Sequence, residues 1–156
     1  MLTTHIETFL GNLDYLKPHF EKHYQEVSRH YYHSIPLDPD YNKYSKLETS
    51  GELLFIALRH EGNIVGYFNG LIAPALHYKT CLQLALDLFY VELKYRGNFN
   101  GQNGGDLLIL KVKEEAKRRG VKLITIGGKV NRSKHMRRLL ERNGFEDFEF
   151  HMAHWL

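Results

Sequence analysis

The run Tyr95-Arg96-Gly97-Asn98-Phe99-Asn100-Gly101-Gln102-Asn103-Gly104-Gly105-Asp106-Leu107-Leu108 sets four glycines and one arginine just ahead of an amphipathic stretch. Glycine lacks a Cβ, so such a backbone can approach a ligand closely. A helix beginning at the end of this run leaves several N–H groups without partners and carries about half a positive charge there. Arg96 adds a full charge. The combination makes an anion site whose natural occupant is a pyrophosphate, held by residues Gly101 to Gly105 and Arg96. A glycine-rich turn that binds nothing uses the same residues, so this stretch alone leaves both readings open.

Two other groupings carry less. Cys81 is the one cysteine. As a nucleophile it needs a basic neighbour, and although His77 is near in sequence, no second half of a cysteine-hydrolase pattern follows. His30 and His33 lie three apart, with Asp38 and Asp40 beyond them, but a proline-broken loop without recognised ligand spacing intervenes, so no metal is expected.

The elements that must position the anion site follow from periodicity. Leu13, Leu16, Phe20, Tyr24, Val27 and Tyr31 fall three and four apart, which predicts an amphipathic helix ending before Pro36. Asp40 can cap a short helix through Leu47, closed by Gly51. Leu53 to Arg59 and Ile64 to Ala73 read as strands joined by the hairpin His60-Glu61-Gly62-Asn63. After a turn near Pro74 to Lys79, Leu82 to Val91 is a third strand. A helix from about Asp106 to Arg119 stops at Gly120, and Val121 to Ile126 is the next strand, parallel through a right-handed crossover. Ser133 caps a last helix to Asn143, with Gly144 at its end, and Phe145 to Leu156 is a final strand rich in aromatics. One further strand fits the N-terminus.

Bulk properties limit the alternatives. At 156 residues the chain fits one domain, 1–156, with enough length to bury a proper core. Apolar residues at 43% and charged residues at 25% exclude a disordered or fibrous chain. The run Leu82 to Val91, interrupted by Gln83 and Asp87, is too short to cross a bilayer. Met1-Leu2-Thr3-Thr4-His5 shows no secretory pattern, and a single cysteine forms no internal disulfide, so a cytoplasmic setting is expected. The net charge is +3, with Lys117-Arg118-Arg119, Arg132, Lys134, Arg137 and Arg138 concentrated late in the chain. Such a half suits an anionic partner, either a nucleotide-like cofactor or nucleic acid. Nothing in the residues fixes the oligomeric state, and a homodimer stays open.

The strand Leu86-Asp87-Leu88-Phe89-Tyr90-Val91, then Tyr95-Arg96-Gly97, then Gly104-x-x-Leu107-Leu108 resembles the acyl-CoA-binding signature of GNAT acetyltransferases, and Glu141-Arg142-Asn143-Gly144-Phe145 matches the pattern that ends their last helix. His23-Tyr24-Gln25-Glu26, Pro36 to Tyr41, Gly66-Tyr67 and Leu76-His77-Tyr78-Lys79 are further similar to a GNAT subgroup common in bacteriophage genomes. The resemblance implies a GNAT-like α/β (α+β) fold with a mixed, mostly antiparallel central sheet splayed at the cofactor site and helices on both faces. It implies acetyl-CoA as co-substrate, its pantetheine arm along Phe89, Tyr90 and Val91 and its pyrophosphate at Arg96, Gly101, Gln102, Asn103, Gly104 and Gly105, with Asn131 as a further contact. Gln102 departs from the family's middle glycine and the loop is about three residues longer than usual. Leu140 stands where many members carry a tyrosine that protonates the departing thiolate.

Direct attack of an amine on the thioester requires a base, because an amine with pKa near 10 is mostly protonated at neutral pH. Asp87 is the first choice: it interrupts an apolar strand between Leu86 and Leu88, a setting that favours its protonated form, and by alternation it shares a face with Phe89 and Val91. Glu92, at the strand's end, is second, and His77 is third, as base or substrate contact. The leading expectation is an acyl-CoA-dependent N-acetyltransferase with an amine acceptor. The alternatives are acylation of a nucleobase amine in modified phage DNA, within the host cytoplasm, or a non-catalytic domain that binds acyl-CoA or a host protein.

Overall fold

The computed structural model describes residues 1–28, 36–128, 133–149 and 151–152. Nine elements follow in order: β1 (Leu2–Ile6), α1 (Leu13–Ser28), α2 (Tyr41–Thr49), β2 (Leu53–His60), β3 (Asn63–Ala75), β4 (Tyr78–Val91), α3 (Gly104–Arg118), β5 (Leu123–Thr125) and α4 (Ser133–Arg142). The strands form one sheet in chain order, antiparallel throughout except for the parallel pair β4 and β5. This is the mixed, mostly antiparallel α/β arrangement read from the sequence.

Both faces of the sheet are covered, which explains why β2 reads as a continuous apolar run rather than an alternation. Leu54, Ile56 and Leu58 point into a core shared with Leu108, Val112 and Ala116 of α3. Leu53, Phe55 and Ala57 point the other way, against Phe9 and against Leu16 and Phe20 of α1. Tyr41, Tyr44 and Leu47 of α2 pack on this second core. Asp40 caps α2 by accepting from the Lys43 N–H at 2.9 Å, and Glu48 on the same helix accepts from the Phe9 N–H at 2.5 Å, which ties α2 to the chain before α1. At the end of α3, Gly120 takes φ +74°, a left-handed conformation that glycine adopts without strain.

Three expectations change. The hairpin between β3 and β4 is longer than expected: Ala75 pairs with Tyr78, so only Leu76 and His77 form the turn. Pro74 sits at a register shift there, as suits a residue with no N–H to donate. The expected final strand over 145–156 is absent from its described part, since residues 145–149 and 151–152 belong to no strand. Arg137 of α4 pairs with Asp147 at the surface, and Phe148 is left exposed. The third change is a bulge in β4. Asn69 of β3 pairs with Leu88 but the adjacent Gly70 pairs with Leu86, so Asp87 has no partner in the ladder. An unpaired extra residue shifts the side-chain alternation by one. Phe89 and Val91 pack toward α3, whereas Asp87 turns to the face of α1 and α2, opposite to the face expected from period-two counting.

Candidate active site

The pairing of β4 with β5 covers only residues 83–85, matched to Leu123, Ile124 and Thr125. Past Ala85 the two strands part, and residues 86–91 of β4 line a cavity of about 1000 Å³. The start of α3 contributes Asn103 and Gly105 to its wall, α4 contributes His135, Met136, Arg138 and Leu139, and α1 contributes His23 and Glu26. The splay therefore places a free strand edge, a helix N-terminus and a charged helix around one space.

The anion side is narrower than the glycine run suggested. Asn103 caps α3, its Oδ1 accepting from the N–H groups of Gly105 at 2.9 Å and Asp106 at 3.2 Å. The loop ahead of it closes on itself: Phe99 and Gln102 exchange backbone hydrogen bonds of 2.7 and 3.0 Å, and the Gly101 N–H donates to Asn98 Oδ1. Gly101 and Gln102 do not line the cavity. Gln102 instead clamps β1, accepting from the Leu2 N–H at 2.7 Å and donating to the Leu2 carbonyl at 3.2 Å. Gly104 faces the sheet, where a Cβ would lie 2.9 Å from the Tyr95 carbonyl and 2.7 Å from Leu58. Its role is close approach of α3 to the strands. Arg96 does line the cavity, with its guanidinium 5.4 Å from the centre of the Tyr90 ring, donating to the Val91 carbonyl and paired with Glu26 at 2.9 Å. An arginine, a helix start and a free strand edge with an apolar neighbour in Leu139 fit a molecule carrying a pyrophosphate and a long amide arm.

On the opposite side of β4 the polar groups converge on the bulge. Asp87 is exposed to the cavity rather than buried between its leucine neighbours, so the burial expected around it is absent. Its Oδ2 accepts from the Tyr44 hydroxyl at 2.6 Å and from Asn69 Nδ2 at 3.0 Å. Tyr67 is fully buried beside them and its hydroxyl lies 3.2 Å from His23 Nδ1. Burial pushes the phenols of Tyr44 and Tyr67 well above their ordinary pKa, and the hydrogen bond to Asp87 raises Tyr44 further. Burial raises Tyr90 as well. All three stay protonated at neutral pH, and the Tyr44 hydroxyl donates to Asp87.

The other expected bases lie elsewhere. Glu92 does not line the cavity; its N–H donates to the Val65 carbonyl at 2.8 Å and its carboxylate lies 3.6 Å from His19 Nδ1. Burial lowers the pKa of that imidazole. His77 sits in the turn before β4, at the opposite end of the β3–β4 hairpin from the bulge. Leu139 reaches the cavity and Leu140 does not. Asn131, His30 and His33 lie outside the described residues. Sequence reasoning missed Tyr44, Asn69, His23, Glu26, His135 and Arg138. For α1 a signal exists, since His19, His23 and Glu26 are spaced four and three apart and so share a helix face. Among the described residues no group of three or more metal-ligating side chains occurs, and no helix is long and apolar enough to cross a membrane.

Residues 15–145 match the sequence profile of the Acetyltransferase (GNAT) family. No curated protein matches the sequence. Among solved structures, the chain is similar to an aminoglycoside acetyltransferase from an uncultured soil metagenomic sample, crystallised with sisomicin, at TM-score 0.73 and 14% identity over 100% of this chain and 95% of that one. It is similar to a ribosomal-protein-alanine N-acetyltransferase from Brucella melitensis biovar Abortus 2308, with TM-score 0.70, 16% identity and 99% of each chain covered. A predicted acetyltransferase from Clostridium acetobutylicum, solved with acetyl-CoA, superposes at TM-score 0.69 with 17% identity over 98% of this chain and 95% of that one.

Proposed function

The chain belongs to the GNAT acetyltransferase family, and on that premise we propose that it is an N-acetyltransferase in which Asp87 is the base for attack of an amine on acetyl-CoA. The observation that carries this reading is the bulge at Asp87, which lies on the one stretch of β4 whose edge is free of β5 and faces the start of α3. Backbone groups of Phe89, Tyr90 and Val91 hold the pantetheine arm, and Asn103, Gly105 and Arg96 receive the pyrophosphate. Arg96 then exchanges its ion pair with Glu26 for phosphate oxygens.

The amine nitrogen attacks the thioester carbonyl carbon, the carbon–sulfur bond breaks, and sulfur leaves with the bonding pair as CoA thiolate. The amine proton passes to the Asp87 carboxylate, directly or through one water. Because a thiol has pKa near 8.5, the thiolate is a tolerable leaving group at neutral pH, and its departure needs no acid from position 140, which does not line the cavity. An aminoglycoside and ribosomal-protein alanine, named for two structural neighbours, are the first acceptors to test.

Calorimetry with acetyl-CoA and an assay of CoA thiol release over an amine panel test the reading together. Saturable binding and amine-dependent release are expected. No binding of any acyl-CoA overturns it. Binding without turnover favours a non-catalytic acyl-CoA or host-protein binder, while salt-dependent DNA binding with release on a nucleobase amine favours the phage-DNA alternative.

A further inference from the structure

The carboxylate of Asp87 is held from one side only. Both hydrogen bonds fall on Oδ2, 2.6 Å from the Tyr44 hydroxyl of α2 and 3.0 Å from Asn69 Nδ2 of β3. Oδ1 is thereby left as the oxygen available to the cavity. Asn69 is 0% exposed, and among the described residues its Oδ1 has no hydrogen-bond partner, so its side chain makes one observed hydrogen bond, to Asp87. A buried amide half satisfied in this way costs stability where an aliphatic side chain would not. Tyr44 is fixed in turn, its ring stacked on Phe9 with centroids 4.5 Å apart, while Glu48 on the same helix holds the Phe9 N–H. The donors thus come from two separate elements and meet on one oxygen at the residue that the bulge expels from the ladder.

We infer that Tyr44 and Asn69 are positioning residues that lock the Asp87 carboxylate with Oδ1 presented to the acceptor amine. The inference rests on the proposal that Asp87 is the base. Two donors on Oδ2 fix the plane of the carboxylate and the direction in which Oδ1 points. Tyr44 itself takes no proton, since burial and the contact with Asp87 keep its phenol protonated.

The test is Tyr44→Phe, which removes one oxygen and keeps the stacked ring. Turnover is measured with saturating acetyl-CoA, and the Asp87 carboxyl carbon is observed by NMR at neutral pH, its resonance identified by its loss in Asp87→Asn. The expected result is a fall in kcat of about tenfold with KM for acetyl-CoA unchanged, and an Asp87 carboxyl resonance displaced from its parental position, because one of its two hydrogen bonds is lost. Asn69→Ser, which shortens the second donor, is expected to lower kcat and to displace the resonance as well. Parental kcat and an unmoved Asp87 resonance in Tyr44→Phe overturn the inference while leaving the base role of Asp87 standing. Parental turnover in Asp87→Asn overturns the base role itself and the inference with it.

Discussion

The two sides of the cavity are built by different means. The side toward α3 is made of backbone: a strand edge freed by splaying, a helix start capped by Asn103, and Gly104 letting that helix lie close to the sheet. The side toward α1 and α2 is made of side chains, with Asp87, His23 and Glu26 on the wall and Tyr44 and Asn69 holding Asp87 from outside it, brought from four elements that are far apart in sequence. A backbone-built surface depends on the fold and tolerates most substitutions around it. A side-chain cluster depends on single atoms and loses its chemistry to changes that leave the fold intact.

The largest expected effect follows from the backbone side. In Gly104→Val the new Cβ meets the Tyr95 carbonyl at 2.9 Å and Val91 at 3.1 Å, and a backbone oxygen cannot move aside as a flexible side chain can. Thermal or denaturant unfolding should show a loss of about 3 kcal/mol. Loss of acetyl-CoA binding with parental stability would instead put Gly104 in the cofactor wall and break the comparison.

A smaller effect is expected at the far end of α3. Glu115 is 2% exposed and accepts from Arg118 at 2.6 Å and Arg119 at 2.7 Å, and the Arg118 hydrogen bond is the main cause that pulls its carboxyl down to about 2. Its folded value lies below the ordinary 4.5, so the unfolded chain binds the proton more tightly. The stabilisation is full above pH 4.5 and disappears as pH falls toward 2. Glu115→Gln should therefore cost about 2 kcal/mol at pH 7, discounted for the exposed Arg118, with the gap to the parent closing in acid. Acetyl-CoA affinity should not change, since this end of α3 is remote from the cavity. A pH-independent gap would mean that packing rather than charge is lost.

The smallest effect is expected from Leu140→Tyr. Leu139 is the residue of this pair that lines the cavity, so a phenol at 140 is not placed to protonate the thiolate, and kcat should stay within about twofold of the parent. A clear rise in kcat would bring residue 140 to the thioester and extend the side-chain half onto α4.

The same division explains what could be read from the sequence. The backbone half was legible because it depends on local signals: Gly97, Gly104 and Gly105, the arginine at 96, and the helix–strand order that makes β5 parallel. Even there the local signals point to ligand contacts at Gly101 and Gln102, which are instead taken up in the closed turn, with Gln102 clamping β1. Asp87 stands out as a charge in an apolar strand, yet its direction does not, because β4 itself carries no glycine or proline at the bulge, the glycine beside it being Gly70 of β3, and period-two counting puts Asp87 on the wrong face. Tyr44 and Asn69 gave no sign at all. A tyrosine on a short amphipathic helix and an asparagine in a strand acquire meaning only when β3, β4 and α2 are packed together.

The central claim is that one cavity binds acetyl-CoA through its backbone side and transfers the acetyl group through Asp87. Asp87→Asn, measured in parallel for acetyl-CoA affinity by calorimetry and for turnover with an amine acceptor, tests it most directly. The account predicts an unchanged Kd for acetyl-CoA and a fall in kcat of about a hundredfold or more. Parental turnover, or a loss of acetyl-CoA binding that matches the loss of activity, would contradict it.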